Sequence, residues 1–242
     1  MPAFIYNNFG IQRLGVDILD IFDLIGPIMV GPSSSHTAGA VRIGLAARTL
    51  LGETPTDAKI YLHGSFAATG RGHGTDTAII AGLLGMAPND ERIPDSFDVA
   101  MEQGLKFSFG EKNLRNAHPN SALIELKGKS GNKISMIAAS IGGGRIQVRN
   151  LNGTSLCFSA EQPTLIVRNS DQPGSVADVS RALAELGINI ATFQVSRDSR
   201  GGEAIMVIEC DDTVKPETIE KIRQTPGILS AAFVDTNREV EN

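Results

Sequence analysis

Cysteine is scarce in this 242-residue chain, occurring only as Cys157 and Cys210. That count excludes a disulfide framework and makes a reducing cytoplasm the simpler setting. Two thiols are also too few to hold a cubane iron–sulfur cluster, which usually takes three or four. Positive charge is not in excess either: 22 basic side chains face 27 acidic ones, for a net charge of -5. This argues against nucleic acid or an anionic membrane as the main partner. Long apolar runs are missing. The most apolar early stretch, Ile18 to Val30, is broken by Asp20, Asp23, Gly26 and Pro27 and is too short to span a bilayer. The N-terminal residues show no basic region followed by an apolar one, so no signal peptide is expected. What remains is ordinary globular material. Hydrophobic residues make up 41% and charged residues 20%, enough to build a core in one large domain or two modest ones.

The patterning divides the chain. Residues 1–155 read as a mixed α+β domain. His36 to Leu51 has helical spacing of apolar residues at Ala38, Val41, Leu45 and Ala46, with Ser34 or Ser35 as a natural N-cap. Asp57 to His63 reads as a strand, and Thr75 to Leu84 as a helix capped by Thr75 or Asp76. A helix over Ser96 to Gln103 and strands over Lys106 to Phe109, Ser121 to Lys127, Lys133 to Ser140 and Arg145 to Leu151 follow. Gly142, Gly143 and Gly144 mark a turn, and Leu156 to Ala160 is strand or linker. A second unit over residues 163–237 reads βαββαβ, the ferredoxin-like order. Its strands are Leu165 to Arg168, Ile188 to Ser196, Glu203 to Glu209 and Ile228 to Val234. Its helices are Ser175 to Leu186, with Val176, Val179, Leu183 and Leu186 expected inward, and Pro216 to Gln224.

Three stretches of the first unit carry chemistry. GPSSSHTAGA (Gly31 to Ala40) crowds three serines, a histidine and a threonine onto a helix entry. Amide and hydroxyl donors converging there suit a carboxylate, and plain capping needs only one serine. HGSFAATGRGHGTDTA (His63 to Ala78) holds two histidines among Gly64, Gly70, Gly72 and Gly74, with Gly82 beyond. His73 precedes Asp76 by three residues, so that carboxylate is placed to orient the imidazole. The spacing of Gly70, Gly72 and Gly74 is neither a dinucleotide fingerprint nor a Walker loop. His63 reads as a strand-end residue without a role. SIGGGRI (Ser140 to Ile146) permits close backbone approach or makes a simple hairpin. In the second unit Asn169, Asp171 and Gly174 place polar groups at the mouth of a helix, where free N–H groups favour a carboxylate. Dimerisation alone explains that turn equally well, and Arg181 and Arg197 read as solvated charge.

The stretches VRNSDQPGSVADV, LGINIATFQVSR and AIMVIE resemble the ACT domain, a regulatory fold that binds amino acids. GPSSSHT, GRGHGTD and SIGGG, in that order, resemble the iron–sulfur L-serine dehydratase family, in the β-subunit form that lacks the cluster. The first domain is also similar to the allosteric-substrate-binding domain of some phosphoglycerate dehydrogenases. The resemblance implies a complex in which a separate, cysteine-bearing α subunit ligates a [4Fe–4S] cluster with one open iron acting on the serine hydroxyl and carboxylate. No pyridoxal phosphate is implied. A base removes the Cα proton, hydroxide leaves, and the enamine hydrolyses to pyruvate and ammonia. The residues carried over are His73 as base with Asp76 orienting it, His36 as second acid or base, and Ser33, Ser34, Ser35, His36 and Thr37 for binding the substrate carboxylate or positioning the leaving group. An effector amino acid is implied at Asn169, Asp171, Gly174 and Asn189, the last reaching across a paired ACT interface. No metal ligand is implied in this chain; self-association through ACT domains is. Two other readings compete. One is a non-catalytic amino-acid sensor regulating another enzyme. The other is a metal-free hydrolase built on a Ser–His pair, which adjacent helix positions and the missing nucleophile elbow disfavour.

Overall fold

The computed structural model describes residues 29–235. The N-terminal stretch, most of the Ile18 to Val30 run included, and the last residues of the second unit lie outside it. Two sheets organise the chain. The first has six strands in the order β2-β1-β3-β4-β5-β6: β1 Pro55–His63, β2 Lys106–Glu111, β3 Ser121–Gly128, β4 Lys133–Gly142, β5 Arg145–Leu151 and β6 Thr154–Phe158. Only β1 and β2 run parallel. Their crossover consists of α2 Ser65–Thr69, α3 Thr75–Leu84 and α4 Ser96–Glu102, because parallel neighbours need a long connection. The remaining pairs are antiparallel, with Ile60 opposite Ile124 and Ile124 opposite Met136. These residues form a row whose side chains are fully or almost fully buried.

Helix α1, Gly39–Leu51, continues a π-helical turn at Ser34–Ala38. It packs on α3 and on β3, β4 and β5. The α1–α3 contact is unusually close because both helices present glycine. A Cβ on Gly44 would lie 2.3 Å from the Ile79 carbonyl oxygen, and one on Gly82 would lie 2.1 Å from that of Val41. Thr37 touches His73 at one end of the pair, and Arg48 Nη1 donates to the Leu83 carbonyl at 2.8 Å at the other. The two helices therefore run parallel, and their N-termini lie side by side.

The second sheet has the order β10-β7-β9-β8, with β7 Thr164–Ser170, β8 Ile190–Arg197, β9 Glu203–Cys210 and β10 Ile228–Val234, all antiparallel. Helices α5 Ser175–Glu185 and α6 Pro216–Arg223 complete the βαββαβ order. This is the ferredoxin-like arrangement expected of the second unit, beside a mixed α+β first unit. Strand alternation sends Leu165, Val167, Met206 and Ile208 to the helix side. Ile166, Ile205, Val207 and Val234 point the other way, into the core shared with α1.

Several local expectations need correction. The cap of the first helical stretch is Ser33, whose Oγ accepts from the His36 amide at 3.1 Å, rather than Ser34 or Ser35. The π turn starts the helical stretch at Ser34, two residues before the expected His36. At α3 the cap position is Gly74 in a left-handed conformation, not Thr75 or Asp76; the Asp76 carboxylate accepts from the Thr77 amide at 2.9 Å. Val176 and Leu186, expected inward, are 44% and 47% exposed. They lie at the two ends of α5, beyond the stretch where Val179, Ala182 and Leu183 seat it on the sheet.

Candidate active site

The parallel packing of α1 and α3 brings the two histidine motifs together, because each occupies the residues just before its helix. The positive ends of both helix dipoles then face the same region and favour negative charge there. A cleft of about 200 Å³ opens between them, lined by Gly31, Thr37, Gly72, His73, Thr77 and Pro94 among others. That volume is below the roughly 300–1,000 Å³ of drug-sized sites and suits a small substrate. The His36 and His73 ring centroids are 4.9 Å apart.

His73 Nδ1 lies 3.0 Å from the Thr69 carbonyl oxygen. A carbonyl only accepts, so Nδ1 carries the proton, and in the neutral ring Nε2 keeps its lone pair. The orienting role expected of Asp76 is thus filled by the Thr69 backbone, because the tight turn through Gly70 folds that carbonyl back onto the ring. His36 is wedged more deeply. Its Nε2 lies 3.1 Å from Thr69 Oγ1 and 3.3 Å from Ser65 Oγ, its Nδ1 lies 3.4 Å from Ser33 Oγ, and Phe66 meets it edge-on. Thr37 departs from the expected carboxylate role. It is 2% exposed, and its hydroxyl donates to the His73 carbonyl, tying the two loops together. Ser34 and Ser35 stand half-buried at the helix mouth. Thr69 and Ser65 were missed in the sequence because HGSFAAT reads as a loop. The only signal for them was their spacing of four, which places both on one face of a helix.

The third motif is structural. Gly142, Gly143 and Gly144 all have left-handed backbone, with φ of 102°, 61° and 76°, so only glycine makes this turn comfortably. Arg42 Nη1 holds it by donating to the Gly144 carbonyl at 3.0 Å. Ser140 closes on Gly39 so tightly that a Cβ there would lie 2.2 Å from its hydroxyl. His63 Nδ1 accepts from the Leu114 amide at 3.3 Å and anchors the loop after β2.

Burial pushes the His36 pKa down, the nearby His73 pushes it further the same way, and a hydrogen bond to the Ser65 backbone offsets part of this. The folded state thus binds fewer protons at this ring than the unfolded chain, whose histidines titrate near ~6.5. The resulting stability is present above that pH and is lost as pH falls through the lower folded value. Melting temperature should therefore decline between about pH 7 and 5.5, above the ordinary carboxylate range. His36→Gln should flatten that decline; an equally steep decline in the variant would remove His36 as its source.

In the second unit Asp171 is engaged through Oδ2. Its carboxylate accepts from the Gly201 amide at 2.9 Å and from Arg197 Nη1 at 2.7 Å, which pull its pKa down and hold the β8–β9 turn. Arg197, expected as solvated charge, is half-exposed and pairs with Asp171. Asn169 is buried and donates to the Ser170 carbonyl at 2.7 Å. Asn189 Nδ2 donates to Asp211 at 2.6 Å and lines a separate groove with Ala177, Ser180 and Arg181. Gly174, with φ of 100°, enters α5, and Asn189 follows its far end. The helix, at 1.5 Å per residue, separates the two by roughly 16 Å. One chain alone does not bring these expected effector residues together.

Comparison with known proteins points one way. The model of the family described as serine dehydratase beta chain matches residues 18–106, and that of the ACT domain matches residues 163–231. The chain is 40% identical over 214 residues to "Probable L-serine dehydratase, beta chain" of Bacillus subtilis (strain 168), covering 88% of this chain and 97% of that one. It is 36% identical over 215 residues to "L-serine dehydratase, beta chain" of Peptoniphilus asaccharolyticus, with the same coverage of both chains. A shorter likeness, 33% over 112 residues, links 46% of this chain to 21% of a D-3-phosphoglycerate dehydrogenase of Methanocaldococcus jannaschii.

Proposed function

Since this chain belongs to the family of L-serine dehydratase beta chains, we propose that it is the cluster-free subunit of an enzyme that deaminates L-serine to pyruvate and ammonia. The reading rests above all on the pairing of His73 with the serine-rich loop at the adjoining N-termini of α1 and α3. The amides and hydroxyls of Ser34 and Ser35, at the start of the turn, bind the substrate carboxylate beside the two positive helix ends. That places Cα near His73, whose Nε2 lone pair takes the proton. Hydroxide departs from Cβ, and the enamine tautomerises to an imine that water hydrolyses. His36, held neutral, keeps a second positive charge away from His73. Among the described residues no three His, Cys, Asp or Glu side chains gather to hold a metal. Cys157 is exposed, and Cys210 is buried with its thiol pushed up to about 11. These residues do not fit a cluster. In this proposal the [4Fe–4S] cluster belongs to the separate alpha chain, and no pyridoxal phosphate takes part.

The second unit is proposed to pair with its counterpart in another copy. Val176, Leu186 and Val195 are exposed apolar side chains on α5, just past its end and on the edge strand β8. Pairing there would cover them and join Asn189 of one copy to the Asn169–Gly174 turn of another. No helix of the described residues is long and apolar enough to cross a membrane, and the acidic net charge fits a small-molecule substrate better than nucleic acid.

The decisive experiment mixes the purified chain with its cysteine-bearing alpha chain under anaerobic conditions and follows pyruvate from L-serine. The pair is expected to turn over, and neither chain alone is. Conversion by this chain stripped of iron would sink the division of labour. L-serine binding to this chain without any turnover by the pair would favour the sensor reading.

A further inference from the structure

We propose that Thr69 is the positioning residue of this site, its two oxygens fixing His36 and His73 in opposite tautomers. The inference starts from where the Thr69 hydroxyl proton goes. Thr69 ends α2, and Oγ1 donates to the Ser65 carbonyl at 3.0 Å, the back-bond that a helical threonine makes four residues earlier. A hydroxyl has one proton, so Oγ1 can only accept from its other neighbours. His36 Nε2, 3.1 Å away, must therefore be the donor. The ring is neutral with its proton on Nε2, leaving Nδ1 to accept from Ser33 Oγ at 3.4 Å.

The other oxygen of Thr69 works in the opposite sense. Its carbonyl accepts from His73 Nδ1 at 3.0 Å, so that ring carries its proton on Nδ1 and presents a bare Nε2. Thr69 thus faces Nε2–H of one imidazole, beside Ser65 Oγ at 3.3 Å, and Nδ1–H of the other. The rings sit 4.9 Å apart, where two imidazolium charges would repel. Fixing His36 in the donor tautomer keeps its lone pair turned toward Ser33 and leaves His73 as the free acceptor. The branched Cβ of threonine supports this by limiting χ1 freedom. The catalytic part of the inference rests on the dehydratase reading; the tautomer part stands on the hydrogen bonds alone.

Two measurements separate these parts. In the chain alone, imidazole ¹⁵N shifts should show a protonated Nε2 for His36 and a protonated Nδ1 for His73. Thr69→Val keeps the carbonyl and the branched Cβ but removes the hydroxyl. It should redistribute the His36 proton between its nitrogens and leave His73 unchanged, and Thr69→Ser should restore the original pattern. In the reconstituted pair, Thr69→Val should lower kcat by about tenfold or more with KM nearly constant, and Thr69→Ser should recover most of it. A protonated His73 Nε2 in the unaltered chain, an unmoved His36 tautomer in Thr69→Val, or undiminished kcat alongside a moved tautomer would each overturn the proposal. If the unaltered pair fails to turn over serine, the dehydratase reading falls instead, and the ¹⁵N pattern still decides whether Thr69 sets the tautomers.

Discussion

Replacing His73 with asparagine is expected to lower turnover of the reconstituted pair by about 10²–10⁴-fold, the range that general acid–base groups supply. Asparagine can still donate to the Thr69 carbonyl, which holds Nδ1 of the native ring at 3.0 Å, so the loop has little reason to rearrange. What disappears is the Nε2 lone pair. Because the base acts only as the Cα–H bond breaks, kcat and kcat/KM should fall together. A steady-state comparison with the unaltered pair checks this, with circular dichroism to confirm that the variant is folded. Turnover near the native rate would show that another group takes the proton. His36→Gln provides a contrast. Both nitrogens of His36 already have neighbours in Ser33, Ser65 and Thr69, so its loss should be milder than that of His73.

The second large effect concerns packing. Gly82→Ala should lower the melting temperature by about 4–8 °C, at about 2–4 °C per kcal/mol for a chain of this size. The added Cβ would meet the Val41 carbonyl oxygen at 2.1 Å, the Leu45 amide nitrogen at 2.8 Å and the Gly44 Cα at 2.9 Å. All three are backbone atoms and cannot swing aside, so α1 and α3 must separate. Overpacking of this kind costs roughly 1–3 kcal/mol or somewhat more. The higher helix propensity of alanine returns up to about 1 kcal/mol, so a net loss near 2 kcal/mol remains. Activity should fall beyond what stability explains, because the same separation pulls Thr37 from the His73 carbonyl. Thermal unfolding by circular dichroism measures the first effect. An unchanged melting temperature would mean that the helices are not held this close.

The local grammar of the chain was largely legible in its residues. Thr75–Leu84, Arg145–Leu151 and Ile228–Val234 have the bounds that periodicity and glycine punctuation assign to them. The βαββαβ order of the second unit followed from its turns and its alternation. The errors fall where a residue's surroundings, rather than its neighbours in sequence, decide its role. Val176 and Leu186 share the apolar stripe of Val179 and Leu183, but a stripe cannot say where the sheet beneath it ends. Asp76 stands three residues from His73, yet the backbone turn at Gly70 offers that ring a nearer acceptor.

The residue types capable of the chemistry, namely the serine-rich helix entry, His73 and the glycines around it, were set by sequence alone, because capping, turn geometry and side-chain protonation are properties of a few adjacent residues. Tertiary packing alone decided that these separate stretches form one site. Gly44 and Gly82, remote from both loops, let two helices pack parallel at backbone contact, and that contact lays their N-termini together. The same packing brings His36 against Thr69, thirty-three residues away in sequence, whereas the His73 ring finds its acceptor only four residues back along the chain.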